Sequence, residues 1–154
     1  MLFKKILNAP AENKAVFKKA NAEDTQLLSD LISLSYKDVA QTFNLTQNNC
    51  PKHPSNCTDD WIKKDMARGV KYHIVYIDGV PAGCAGLELS ENDISYLERL
   101  AVLPEFRHKG LGKKLVEFMF NRAKQVGSKM MSIGIIAEQE ILKKWYETCG
   151  FTYI

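Results

Sequence analysis

"RLAVLPEFRHKGLGKKLVEF", Arg99 to Phe118, is the stretch on which the fold turns. Its first residues, through Val102, close a strand-like run that begins at Ile94. Its last residues open a helix: Leu111, Leu115, Met119 and Ala123, with Val116, Phe120 and Val126, recur at helical spacing up to a stop at Gly127. Between strand and helix stand Arg107, His108 and Lys109, then Gly110 and Gly112. Adjacent cations repel one another and glycines weaken a helix start, so this bend makes sense as the seat of an anion. The first amides of a helix lack intrahelical acceptors and carry the positive end of its dipole. Gly110 and Gly112 are expected to let an anion reach those amides with no Cβ in the way, and Arg107 and Lys109 to add full charges. The dipole contributes about 0.3–1 kcal/mol and each charge-assisted hydrogen bond about 1.5–3 kcal/mol. Together they suffice for a diphosphate; no single one does.

Familiar phosphate motifs do not fit the bend. A P-loop requires a hydroxyl residue after its lysine, and here Lys113 is followed by Lys114. A dinucleotide fingerprint requires a third small residue where Leu115 stands. What remains is R-x-x-G-x-G between a strand and a helix.

Working outward, Ala15 to Ala20 alternates as a short first strand, and Asn21 reads as an N-cap with Glu23 and Asp24 behind it. Leu27, Leu28, Leu31, Ile32, Leu34 and Val39 carry the following helix to about Thr42. A loop rich in Asn, Pro and Ser covers 44–56. Thr58 caps a second helix that Gly69 ends. "KYHIVYI", the turn "DGVP", "AGCAGLEL", the turn "SEND" and "ISYLERLAV" form a meander of three strands. After the third helix come a buried strand in "MMSIGII", a short helix in "QEILKKWYETC" ended by Gly150, and the start of a last strand in "FTYI". The order is β-α-α-β-β-β-α-β-α-β, an α/β (α+β) mixed sheet flanked by helices, with its final strand cut short. The 154 residues make a single domain, 1–154, with no repeat and no linker.

Composition narrows the function classes. A net charge of +3 is too small to announce a nucleic-acid binder, so any positive patch is local. No apolar stretch approaches the roughly 20 residues of a membrane span, and "MLFKKILNAP" lacks the pattern of a signal peptide. The expectation is a cytoplasmic protein, in which Cys50, Cys57, Cys84 and Cys149 are reduced thiols. "NLT" at Asn44 and "NCT" at Asn56 then match the glycosylation pattern by chance.

With strand, bend and helix in this order, "RLAVLPEFRHKGLGKKLVEF" resembles the coenzyme-A signature of the GNAT family of acetyl-coenzyme-A-dependent N-acetyltransferases. "WYETCGF" resembles that family's second motif, and the resemblance spans nearly the whole chain. It implies an acyl-CoA N-acyltransferase fold whose fourth and fifth strands splay, and acetyl-coenzyme A as acetyl donor. By the same resemblance, the backbone of Leu100, Ala101 and Val102 pairs with the pantetheine arm. The amide of Ala101 or Leu100 polarises the thioester carbonyl, and Arg107, His108, Lys109, Gly110, Leu111 and Gly112 hold the diphosphate. Gln139 stands where many relatives have an asparagine that touches the pantetheine arm. Glu98 is the candidate base, and Tyr96 departs from the commoner glutamate at its position. Strand parity puts Tyr96, Glu98 and Leu100 on one face and Leu97, Arg99 and Ala101 on the other. Tyr146 matches the tyrosine that protonates the leaving thiolate, while Trp145 beside it belongs to the core.

The implied activity is transfer of an acetyl group to a primary amine, in a small molecule or a peptide, by direct attack in a ternary complex. An acetyl-coenzyme-A-binding module without catalysis is the alternative; a nucleic-acid-binding domain lacks the interleaved exposed aromatics it needs. Cys50, His53 and Cys57 lack a fourth partner at zinc spacing, so no metal is expected; the resemblance implies instead that their loop, between the first two helices, borders the acceptor site. Nothing near Cys149 activates it as an acyl carrier. His73 reads as a strand histidine and His108 as a loop residue that matters for its amide. Relatives continue past the "GF" at Gly150–Phe151 through further strands. The expectation is therefore a truncated chain or a homodimer that covers the open edge.

Overall fold

A computed structural model describes residues 14–134 and 140–152. Among these residues five strands form one sheet in the order β1 (Ala15–Lys19), β2 (Lys71–Ile77), β3 (Val80–Leu89), β4 (Ile94–Val102), β5 (Met130–Ser132). The first four are antiparallel neighbours, and β5 pairs in parallel with β4 over Ile94–Tyr96 only. The described residues also form α-helices that flank the sheet: α1 (Thr25–Thr42), α2 (Asp59–Ala67), α3 (Leu111–Gln125) and α4 (Glu140–Thr148).

Sequence chemistry sets the ends. The Asn21 side chain accepts the Glu23 amide at 2.9 Å, and the Asp24 carboxylate accepts the Asn21 amide at 2.9 Å, so the reciprocal cap encloses a 3-10 turn that leads into α1. Asp78 (φ 50°) and Gly79 (φ 79°) are both left-handed, the pattern of a two-residue hairpin loop. The turn is therefore tighter than "DGVP", and Val80 and Pro81 belong to β3. The strand expected over "MMSIGII" is shorter, ending at Ser132, and Ile135 and Ile136 lie outside the described residues. Phe151 and Thr152 adopt no strand; the rest of "FTYI" also lies outside the described residues.

The two faces of the sheet carry separate cores. Against α3 and α4 lie Val75, Leu87, Leu97 and Leu100, packed with Leu111, Leu115, Met119 and Tyr146. Against α1 and α2 lie Tyr72, Ile74, Cys84 and Ala101, packed with Leu28, Leu31, Ile32 and Ile62. Burial of each large aliphatic residue contributes roughly 1.5–3 kcal/mol, so both layers hold the sheet firmly.

One irregularity matters for the site. The β3–β4 register runs from Cys84↔Ala101 to Gly86↔Glu98, so β4 has one residue more than β3 over this span. Arg99, at φ 50°, takes up the excess as a β-bulge. It corrects the parity expected from simple alternation. Leu97 and Leu100 share the α3 face, whereas Arg99 reaches Asp65 of α2, Glu98 reaches Arg68 at the C-terminal cap of α2, and Ala101 faces the α1/α2 core.

Candidate active site

The site begins where β5 leaves β4. Beyond Tyr96 the edge of β4 meets no strand on that side among the described residues. Backbone groups alternate sides along a strand. The Leu103 amide donates to Ala82 of β3 (2.9 Å), and Ala101 pairs with Cys84. The Ala101 carbonyl also packs on β3, where a Cβ on Gly83 would lie 2.4 Å from its oxygen. Ala101 therefore turns inward, contrary to the expectation for it, and Leu100 and Val102 present their amides and carbonyls to the open edge.

Two side chains hold those carbonyls. The Tyr36 hydroxyl donates to the Leu100 oxygen at 2.5 Å. Arg107 Nε donates to the Val102 oxygen at 3.2 Å, Nη1 to Asp38 Oδ2 at 2.7 Å, and Nη2 to the Ser35 carbonyl. Asp38 is held below its ordinary pKa chiefly by that hydrogen bond from Arg107. Here the structure departs from the sequence expectation: the Arg107 charge is spent on α1 and fixes the bend, instead of pointing at an anion.

The bend itself is rich in donors. The Arg107 amide closes a turn onto Pro104 at 3.2 Å, but the amides of His108, Lys109, Gly110, Leu111 and Gly112 have no backbone acceptor among the described residues. His108 (φ 63°) and Gly110 (φ 78°) are left-handed, and alternation of this kind turns successive N–H groups into one concavity that suits an anion. Lys109, Lys113 and Lys114 are exposed around it. The two glycines differ in purpose. Gly110 serves for its positive φ; Gly112 serves packing, since a Cβ there would lie 2.9 Å from Trp145 Cζ2.

Tyr146 enters from α4. Its ring meets Trp145 (centroids 4.9 Å) and Phe151 (5.6 Å) edge-on, and it is 6% exposed. Burial pushes its phenol well above the ordinary value, and Tyr36 and Cys149 add to that. Burial likewise pushes the Tyr36 phenol up to about 12. Gln139 lies outside the described residues.

Glu98 stands on the other side of the edge, beside Glu88. Burial first, and then a hydrogen bond with Glu88, raise its carboxyl to about 7, against the pull of the Arg68 guanidinium. Arg68 binds Glu98 (2.9 Å), Glu88 (3.2 Å) and Asp65 (3.0 Å). Tyr96 is exposed. In the 44–56 loop, His53 Nδ1 is taken by Ser55 Oγ at 2.7 Å; Cys50 within it and Cys57 just after it are free thiols.

Sequence reading missed Tyr36, Asp38, Asp65 and Arg68. Asp65 had a legible signal: it stands three residues after Ile62 on the buried stripe of α2, and an acid there needs partners. Tyr36, four residues after Ile32, is similarly a hydroxyl on an apolar stripe. Asp38 and Arg68 carry no such mark.

A family model described as the acetyltransferase (GNAT) family matches residues 36–151. Among curated relatives, the uncharacterized N-acetyltransferase YjgM of Escherichia coli (strain K12) is 26% identical over 151 residues, covering 96% of this chain and 88% of its own length. An uncharacterized N-acetyltransferase from the pepI 3′ region of Lactobacillus delbrueckii subsp. lactis is 24% identical over 139 residues, 81% of this chain and 79% of its own. Among solved structures, the PaiA N-acetyltransferase of Thermoplasma acidophilum in complex with coenzyme A superposes with a TM-score of 0.78 at 17% identity. That match covers 92% of this chain and 91% of the other, and it is a likeness of fold.

Proposed function

The chain belongs to the acetyltransferase (GNAT) family, and we propose on that premise that it transfers the acetyl group of acetyl-coenzyme A to a primary amine by direct attack in a ternary complex. One observation supports this reading most: donor amides cluster in the bend His108–Gly112 at the end of a strand whose edge is open at Leu100 and Val102. The bend suits the diphosphate, and the open edge suits the amides of the pantetheine arm. A thioester lying along that edge brings its carbonyl to the Leu100 amide. A preorganised donor of this kind is worth about 3–4 kcal/mol to the developing oxyanion.

The neutral amine attacks the thioester carbonyl carbon, a C–N bond forms, and the tetrahedral oxyanion collapses with loss of the C–S bond. The amine proton goes to Glu98, directly or through a water, and the thiolate takes a proton from Tyr146. An amine with a pKa of about 10.4 costs roughly 4.6 kcal/mol to deprotonate at pH 7. A carboxylate raised to about 7 closes part of that gap while staying half-ionised near neutrality. Burial makes Tyr146 a weaker acid in the ligand-free protein. The same apolar surroundings destabilise a thiolate too, as burial does to Cys84, so the proton moves between two anions that are both poorly solvated.

The acceptor is a small-molecule or peptide amine, and the 44–56 loop borders its site. No described helix is long and apolar enough to cross a membrane. We place the reaction in the cytoplasm, where four free thiols fit a reducing setting. A homodimer is part of the proposal because β5 ends the sheet among the described residues; light scattering at low micromolar concentration showing only monomer removes it. Thiol release measured over a panel of amines, with calorimetry of acetyl-coenzyme A, tests the function. Binding plus amine-dependent thiol release is expected, and binding without release under every amine contradicts it.

A further inference from the structure

Arg99 is a strand residue in the left-handed region (φ 50°), a conformation that a residue with a Cβ rarely adopts. Its surroundings hold it there. Arg99 Nε donates to Asp65 Oδ2 at 2.7 Å and Nη2 to Asp65 Oδ1 at 3.4 Å, and the guanidinium lies over the Trp61 ring, 5.1 Å from its centroid. Asp65 is 2% exposed and is fixed from two further directions, by the Tyr72 hydroxyl at 2.5 Å and Arg68 Nη1 at 3.0 Å. Trp61 and Asp65 both belong to α2, so the side chain at the bulge of β4 is held by this helix.

We propose that Asp65 and Arg99 are positioning residues for acetyl transfer: the clamp between them holds the β4 bulge in the backbone conformation that turns the Leu100 amide to the open edge. The bulge is what makes Leu97 and Leu100 share a face with two residues between them. If Arg99 relaxes to an extended φ, the peptides on either side of it rotate, and the Leu100 amide turns away from the carbonyl it polarises. The inference rests on the proposed role of that amide, but its backbone part is separable.

The test exploits glycine, which occupies the left-handed region without penalty. Arg99→Ala loses the clamp and keeps the strain; Arg99→Gly loses the clamp and the strain together. Expected for Arg99→Ala is a fall in kcat of at least about tenfold with the KM for acetyl-coenzyme A little changed, because the diphosphate bend is elsewhere. Arg99→Gly is expected to recover most of the loss. In the ligand-free protein, the amide resonances of Glu98 and Leu100 should move in Arg99→Ala and stay near their original positions in Arg99→Gly. Equal kcat values for the two variants, with Leu100 unmoved in both, overturn the proposal. If Arg99→Ala does not accumulate folded, Asp65→Asn is read alone and combined with Arg99→Gly. The clamp requires that Asp65→Asn shift the Leu100 resonance alone and add nothing in the combination; an equal shift in both backgrounds overturns it. Inactivity of the unaltered protein toward every amine counts against the proposed function, while the resonance test still decides the clamp.

Discussion

His73 offers a prediction whose size follows from its surroundings. It sits on β2, 6% exposed, with its ring 5.0 Å edge-on to Phe118, and its Nδ1 is buried without a hydrogen-bond partner among the described residues. Burial, with repulsion from Arg122 and Lys19, pushes its pKa down from 6.5 to about 4. Above pH 6.5 both folded and unfolded chains carry the neutral ring, and the residue adds no pH dependence. As pH falls from 6.5 to 4, the unfolded chain takes the proton and the folded chain refuses it, so stability is lost. About 2.5 units at about 1.36 kcal/mol each amount to roughly 3 kcal/mol. Glu98 works in the opposite sense over nearly the same window. Its folded pKa of about 7 exceeds the ordinary 4.5, so the fold gains as it takes that proton first on acidification. The unaltered protein is therefore a poor reporter, and the informative quantity is its difference from His73→Phe. Urea unfolding followed by tryptophan fluorescence, at several pH values from about 7.5 to 4, should show the variant's relative stability rising by about 3 kcal/mol towards acid. A difference that stays constant across the range refutes the assignment of a buried neutral imidazole.

Other perturbations address the site. Tyr146→Phe should lower turnover at least about tenfold with little change in acetyl-coenzyme A affinity, read by steady-state kinetics and calorimetry; full turnover removes the acid role. Glu98 predicts that kcat/KM rises with pH through an apparent pKa near 7. Arg68→Ala should move that rise upward, since the guanidinium favours the Glu98 carboxylate; a shift downward or none contradicts the pairing. Arg107→Ala should weaken coenzyme A binding through a misplaced bend and also cost about 2–3 kcal/mol of stability, measured by denaturant unfolding. Gly110→Ala should cost about 1–2 kcal/mol and lower coenzyme affinity, whereas Gly110→Asn, which tolerates positive φ, should lose less of both.

The order of strands and helices as far as α4 was legible because apolar periodicity and turn residues report it directly. The Leu111–Ala123 stripe and the Asn21 cap are examples. The bulge at Arg99 was not, because a single left-handed residue in a strand leaves no mark in an alternating pattern. That one residue reversed the expected face of Leu100 and drew Arg99 to α2 beside Glu98. The Arg107 guanidinium misled for a related reason: sequence records its charge but not the Ser35 carbonyl and Asp38 carboxylate brought to it by α1. Gly112 was read as space for a ligand, and its packing against Trp145 depends on where α4 returns, which is a property of the whole fold.

In the proposed reaction the bend after β4 receives the diphosphate while the edge at Leu100 and Val102 receives the pantetheine arm. Amide chemical-shift mapping on the isotope-labelled protein, titrated with coenzyme A, reads both placements at once. The largest shifts should fall on His108 to Gly112, followed by Leu100 and Val102, with saturation at one common affinity. Shifts concentrated on another face, or none at millimolar coenzyme A, would contradict it.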